Sequence, residues 1–143
     1  MADPISIAEQ GYFFVGGHYE EHPDGRFLAG QMYVEFQIPA ERTKALPIVM
    51  FSGGGQSGLN YTGTPDGREG WRQFLLRAGY AVYVLDQPSR ARSPHLRETG
   101  EQSRHSVARV QQQFTAPERY NLWPQAHLHT QWPCLLYTSD AAD

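Results

Sequence analysis

Apolar and polar residues change rhythm several times along this chain, and the changes mark its elements. From Gly11 to Ile38 the period is two: "GYFFVGG" is an aromatic run closed by glycines, and in "FLAGQMYVEFQI" Met32, Val34, Phe36 and Ile38 alternate with Tyr33, Glu35 and Gln37. Successive side chains of a strand point to opposite faces, so the two runs predict an antiparallel β pair. Between them "EEHPDGR" carries Pro23-Asp24-Gly25. Proline presets its backbone angle there and glycine tolerates positive φ, which makes Asp24 a turn residue. Alternation stops at "LPIVMF", Leu46 to Phe51, whose continuous apolar character predicts a strand covered on both faces, as in a parallel sheet flanked by helices. "REGWRQFLLRAGY" then predicts a helix with Trp71, Phe74, Leu75 and Ala78 on one face and Gly79 as its stop. "YAVYVLD", Tyr80 to Asp86, is again continuous, so strand, loop, helix and strand make one βαβ unit whose crossover should be right-handed. Beyond it "QPSRARSPH" reads as a polar loop and Glu101 to Phe114 as weakly helical. "TAPERYNLWPQAHLHTQW" reads as an irregular but ordered aromatic excursion, and no internal repeat or low-complexity segment is found.

Composition narrows the class without naming a chemistry. The chain has 143 residues, 40% hydrophobic and 13% aromatic, which suits one globular domain and not a disordered chain. Its formal charge is −3, and among its 12 basic residues only Lys44 is a lysine. No nucleic-acid face is expected, and the Arg-rich span from Arg90 to Arg119 reads as solvated surface. No apolar run is long enough to cross a bilayer, and "MADPISIAEQGYFF" lacks a basic start followed by an apolar stretch. The default expectation is a soluble, cytoplasmic protein with no membrane partner. A lone cysteine, Cys134, excludes an internal disulfide and a cysteine-rich metal site.

The stretch richest in chemical possibility is "VMFSGGGQSG", Val49 to Gly58. A phosphate loop presents backbone N–H groups at a helix start and usually adds Gly-Lys-Ser/Thr, but no lysine follows Gly55. A dinucleotide fingerprint fits the glycines at the first, third and sixth positions of Gly53 to Gly58, yet Leu59 to Gly67, with its own turn at Pro65-Asp66-Gly67, follows where a helix is required. An oxyanion hole needs one or two backbone N–H groups free of intrahelical bonding and facing the oxygen that gains charge when a carbonyl is attacked. A structural turn with no ligand is the remaining reading. Position directly after a buried strand favours the oxyanion hole.

"SGGGQSGLNYTGTPDGREGW" followed by "FLLRAGYAVYVLDQPSRARS" resembles the α/β-hydrolase superfamily. Within it, the chain is similar to the small bacterial esterases that pair a "TPDGR-GW" segment with a "GY-YV-DQ--R-RS" segment. The likeness runs from Gly11 to Pro133. It implies the N-terminal part of an α/β-hydrolase fold, in which an antiparallel β pair leads into a βαβ unit of a mostly parallel sheet. It also implies a serine nucleophile on an elbow, an acid, a histidine, and an oxyanion hole drawn partly from the loop after the third strand, here "LPIVMF". By alignment of that loop, Gly54 is the first candidate for the donated N–H and Gly55 the second. Two departures stand out. Where the superfamily has Asp-x-x-Gly-x-Gly-x-Ser, this chain has Asp86-Gln87-Pro88-Ser89-Arg90-Ala91-Arg92-Ser93, so both glycines are replaced; and Ser52 stands where many relatives have a histidine.

The serine elbow, Gly-x-Ser-x-Gly, does not occur in the chain. Ser57 lies in the glycine loop without a partnered base and is read as loop structure. Asp86 is read as a structural hydrogen-bonding residue. His127 and His129 have the alternate spacing that points two imidazoles the same way on an extended segment, but no cysteine or acidic pair completes a metal site. They are candidate pocket-lining residues together with Gln56, while His18, His22, His95 and His105 are expected at the surface. The ten residues "CLLYTSDAAD", Cys134 to Asp143, resemble the translation of the end of a transposon-type sequencing adapter. The expectation is therefore a truncated hydrolase domain over residues 1–133 and a non-native tail over 134–143. The nucleophile, acid and histidine should lie beyond Pro133. Such a piece carries an oxyanion loop, needs no cofactor or metal, and is inactive as it stands, while the full-length parent acts on a small-molecule ester or related acyl substrate. The alternative is a non-catalytic binding or scaffold protein of the same fold, and a nucleotide-binding βαβ protein is a third.

Overall fold

The computed structural model describes residues 3–101, 104–115 and 117–128. The tail Cys134 to Asp143 lies outside the described residues. The chain divides into two units, Met1–Gln102 and Ser103–Asp143.

The first unit is built on a four-stranded sheet in the order β1-β2-β4-β3. Strands β1 (Ile7–His22) and β2 (Gly25–Pro39) form the expected antiparallel hairpin, turning through Pro23 and Asp24 with His22 opposite Gly25. Both strands outrun the alternating sequence segments. Strand β4 (Val82–Asp86) pairs antiparallel with β2 only through Tyr33–Gln37, so the hairpin beyond that region extends as a two-stranded arm. Strand β3 (Ile48–Phe51) runs parallel to β4. Two antiparallel pairings and one parallel pairing make the described sheet mixed, where a mostly parallel one was expected. Rings meet across three strands, Phe13 tilted against Phe36 and Phe36 stacked on Tyr83, supplying the cross-strand contacts that favour aromatic residues in sheets.

Helix α1 (Trp71–Arg77) connects the parallel strands. Its start is held by Gln73, whose Oε1 accepts the Gly70 N–H at 3.1 Å and whose Nε2 donates to the Thr62 carbonyl at 2.8 Å. Its end is the expected one. Gly79 takes a φ of 85° and its N–H donates to the Leu76 carbonyl, while a methyl at that position would sit 2.1 Å from Thr43 Oγ1. The buried face differs from the predicted one. Leu76 enters the core with Val82 and Val84, flanked by Ile5, Ile7, Met50, Tyr61, Leu75 and Tyr80, whereas Trp71 and Phe74 are exposed. Strand β3 is likewise one-sided. Ile48 and Met50 are half-buried, but Val49 and Phe51, expected under cover, are about half exposed at the sheet edge.

The second unit is helical where the sequence is weakly helical. Helix α2 (Val107–Val110) is capped by Ser106, whose Oγ accepts the Arg109 N–H at 3.2 Å, and continues into a π-helical turn, Gln111–Thr115. The segment read as irregular contains α3 (Pro117–Tyr120) and a 3-10 turn, Ala126–Leu128. Asn121 follows α3 with a φ of 51°, a conformation asparagine tolerates at a helix end.

Candidate functional site

The glycine loop leaves β3 at Phe51 and closes on itself first. The Gln56 N–H donates to the Gly53 carbonyl at 3.3 Å, and Ser52 Oγ donates to the Gln56 carbonyl at 3.1 Å. Gly55, third residue of this turn, has a φ of 72°, a region that glycine enters without the steric penalty of a Cβ. Ser57 caps the following 3-10 turn, Gly58–Tyr61, accepting the Leu59 N–H at 3.3 Å. The serine is therefore engaged in loop structure. Downstream, Thr64 Oγ1 accepts the Arg68 N–H at 2.9 Å and the Gly67 N–H donates to the Thr64 carbonyl at 2.9 Å, so the "TPDGR" segment is a self-contained turn.

Both ends of the glycine loop are then pinned by the segment after β4. At one end the Gly58 N–H donates to Asp86 Oδ1 at 2.7 Å, and a methyl at Gly58 would lie 2.5 Å from Val84 Cγ1. Asp86 is fully buried and also accepts from Arg92 Nε at 2.6 Å. Burial pushes its carboxyl up, but the Gly58 N–H and the Arg92 guanidinium together outweigh that and hold it below the usual aspartate range. Arg92 also pairs with Glu35 on β2, which in turn pairs with Arg72 of α1, and its guanidinium lies 4.1 Å from the centre of the Tyr33 ring. Ser93 completes the clamp: its Oγ donates to the Asp86 carbonyl and accepts the Tyr33 N–H at 2.8 Å. At the other end, Arg90 donates to the carbonyl of Gly53.

The clamp keeps glycine-like geometry without the glycines. Ser89 and Ala91 stand where the superfamily has glycine, and they take φ values of 64° and 44°. A side chain in the left-handed region costs about 1–2 kcal/mol. Ser89 recovers part of this by accepting the Leu96 N–H on its Oγ at 2.7 Å.

Between the pinned ends, the N–H groups of Gly54 and Gly55 find no acceptor among the described residues, and both glycines are exposed. Apart from Gly54 itself and its two chain neighbours, no heavy atom lies within 4 Å of where a Gly54 side chain would begin. The loop thus presents two adjacent backbone donors to open space, held on one side by the ion-paired Asp86 and on the other by the Arg90 guanidinium on the Gly53 carbonyl. Gln56, in the same turn, is exposed as well. His127 lies exposed in the 3-10 turn of the second unit, and His129 lies outside the described residues. The expectation that the Arg-rich span is solvated fails at its start, because Arg90 and Arg92 are engaged with the loop and with buried Asp86. These two arginines, Glu35, Gly58 and Ser93 were not singled out as site residues. The available signal was the "DQ--R-RS" segment itself, which keeps Asp86, Arg90, Arg92 and Ser93 at the spacing the clamp requires.

The chain is similar to known proteins in sequence and in fold. One solved structure, described as the atomic resolution structure of a novel bacterial esterase, is 40% identical and superposes with a TM-score of 0.60 over 66% of this chain and 32% of its own. The fold is esterase-like. A probable secreted lipase, phiG, from a fungal species (strain ATCC 74256) is 44% identical over 122 residues, which are 85% of this chain and 31% of that protein. The chain therefore spans about a third of the length of the relatives it matches. No model of a known protein family matches it.

Proposed function

We propose that this chain carries the oxyanion loop of a serine-dependent hydrolase that acts on a small-molecule ester or related acyl substrate. The observation that carries the reading is the pair of free N–H donors at Gly54 and Gly55, directly after β3 in an esterase-like fold. Attack of a serine on an acyl carbon moves charge onto the carbonyl oxygen. A donor already fixed in place stabilises that oxygen without reorganising at the moment of reaction, an effect worth about 10²–10³ in kcat per donor. Gly54 is the first donor and Gly55 the second, with Gln56 at the rim. The sequence contains no Gly-x-Ser-x-Gly elbow. In this reading residues 1–133 are the N-terminal half of the hydrolase domain, residues 134–143 are non-native, and the nucleophile, acid and histidine belong to the remainder of the full-length parent. Collapse of the acyl-enzyme with water completes the cycle there, and the chain alone is inactive. The relatives, named a lipase and an esterase, support the substrate class. Because the lipase is named as secreted, we assign the parent to the exported proteins, in place of the cytoplasmic default.

The test is to extend the reading frame in the source DNA, express the parent and assay p-nitrophenyl esters of short and long acyl chains. An elbow serine followed by an acid and a histidine, hydrolysis of at least one ester, and its loss on replacing that serine by alanine are the expected results. A complete frame without the elbow overturns the proposal and favours the binding or scaffold reading.

A further inference from the structure

The Arg90 side chain reaches from the loop after β4 to the carbonyl of Gly53, and that carbonyl belongs to the same peptide unit as the Gly54 N–H. A peptide unit is rigid and conjugated, so its C=O and N–H share one plane and one electron distribution. The Gly53 carbonyl already accepts the Gln56 N–H at 3.3 Å, and the arginine adds a charge-assisted donor to it. Drawing density toward the oxygen makes the N–H at the other end of the unit a stronger donor, the polarisation that runs through chains of hydrogen bonds. Orientation matters as much. Gly53, Gly54 and Gly55 follow one another without side chains, so without an external hold the 53–54 peptide can rotate and turn its N–H away.

The backbone of Arg90 is built for this reach. Its N–H donates to the Gln87 carbonyl at 3.0 Å and its carbonyl accepts the Ser93 N–H at 2.9 Å. The left-handed residues Ser89 and Ala91 flank it. This is backbone strain at a point where the adjacent arginine engages the candidate site, the pattern in which strain accompanies function. Arg92, two residues on, goes instead to Asp86 and Glu35. One arginine secures the scaffold and the other addresses the donor peptide.

We infer that Arg90 is a positioning residue for the oxyanion hole, orienting and polarising the Gly53–Gly54 peptide so that the Gly54 N–H is fixed on the developing negative charge. The inference rests on the ester-hydrolase reading above, and the experiment separates the two. In the full-length parent, Arg90→Met should lower kcat for a p-nitrophenyl ester by about tenfold to a hundredfold with KM kept within about twofold. Binding of a boronic-acid inhibitor, whose boron becomes tetrahedral when the serine oxygen adds to it, should weaken by the same factor, Arg90→Lys should recover part of both, and the thermal midpoint should hold. An unchanged kcat, a loss confined to KM, or a fall in kcat matched by thermal collapse overturns the inference. Selective ¹⁵N-glycine labelling supplies a readout that needs no activity. The Gly54 amide proton should move upfield in Arg90→Met, as expected for a less polarised N–H. If the parent hydrolyses no ester, the functional proposal fails and the oxyanion role of Arg90 falls with it, while the Gly54 resonance still decides the contact itself: an unmoved signal overturns the polarisation of the Gly53–Gly54 peptide by Arg90 and an upfield shift sustains it.

Discussion

Gly54 and Gly58 lie in one loop yet face opposite constraints. A methyl at Gly54 meets nothing within 4 Å, whereas at Gly58 it meets Val84 Cγ1 at 2.5 Å and both Arg92 and Asp86 at 3.2 Å. Gly58→Ala should therefore destabilise by about 1–3 kcal/mol in urea titrations, the usual effect of overpacking, while Gly54→Ala stays within about 1 kcal/mol of the original. Ala91 offers the reverse experiment. Its φ of 44° carries strain that Ala91→Gly removes, and after the greater unfolded-state freedom of glycine a gain of roughly 0.5 kcal/mol is expected in the same titration. The third residue-level prediction concerns acid. The folded carboxyl of Asp86 titrates below its unfolded value, so the unfolded chain binds the proton more readily. Its contribution is full above the ordinary aspartate value of about 3.9 and is lost as pH falls through the lower folded value. Asp86→Asn should lower the urea midpoint near neutrality and reduce the fall in stability below about pH 4.

Helix α1 shows how an element is chosen by periodicity and then turned by its anchors. The apolar spacing of Trp71, Phe74, Leu75 and Ala78 defines a face, yet Trp71 and Phe74 are 63% and 62% exposed and Leu76 is only 3% exposed. The polar residues explain the rotation. Arg72 reaches Glu35 on β2 and Gln73 reaches the Thr62 carbonyl, so the helix presents Arg72, Gln73 and Leu76 inward. Leu76→Ala should cost about 2–5 kcal/mol, since it empties a site against Val82 and Val84, whereas Phe74→Ala should cost less than about 1 kcal/mol. Chemical denaturation of the two variants side by side reads the difference.

For the whole molecule the informative feature is apolar surface. Phe13, Val49 and Phe51 on the sheet, and Trp71 and Phe74 on α1, are all more than 40% exposed. Scattered apolar residues are normal on a surface, but Val49 and Phe51 lie on an edge strand, the usual starting point for unwanted pairing. Residues 1–133 produced alone should self-associate at micromolar concentration. Size-exclusion chromatography with light scattering checks this, and a stable monomer that unfolds cooperatively would refute it.

Much of the fold was legible because it depends on local pattern. Alternation at Met32 to Ile38 marked β2, the continuous runs marked β3 and β4, Pro23-Asp24 marked the hairpin turn, and Gly79 marked the end of α1. The glycine loop was legible too, as backbone that no side chain of its own can cover. What local pattern did not contain was pairing at a distance. The engagement of Arg90 with Gly53, of Arg92 with Asp86 and Glu35, and of Gly58 with Val84 joins residues up to 57 positions apart. An arginine in a polar run looks the same in sequence whether solvated or clamped. Which segments become strands, turns and helix is already written in the order of residues, because it follows from side-chain period and backbone freedom. Which face of α1 is buried and which charges hold the loop emerge on folding, because both depend on partners distant in sequence.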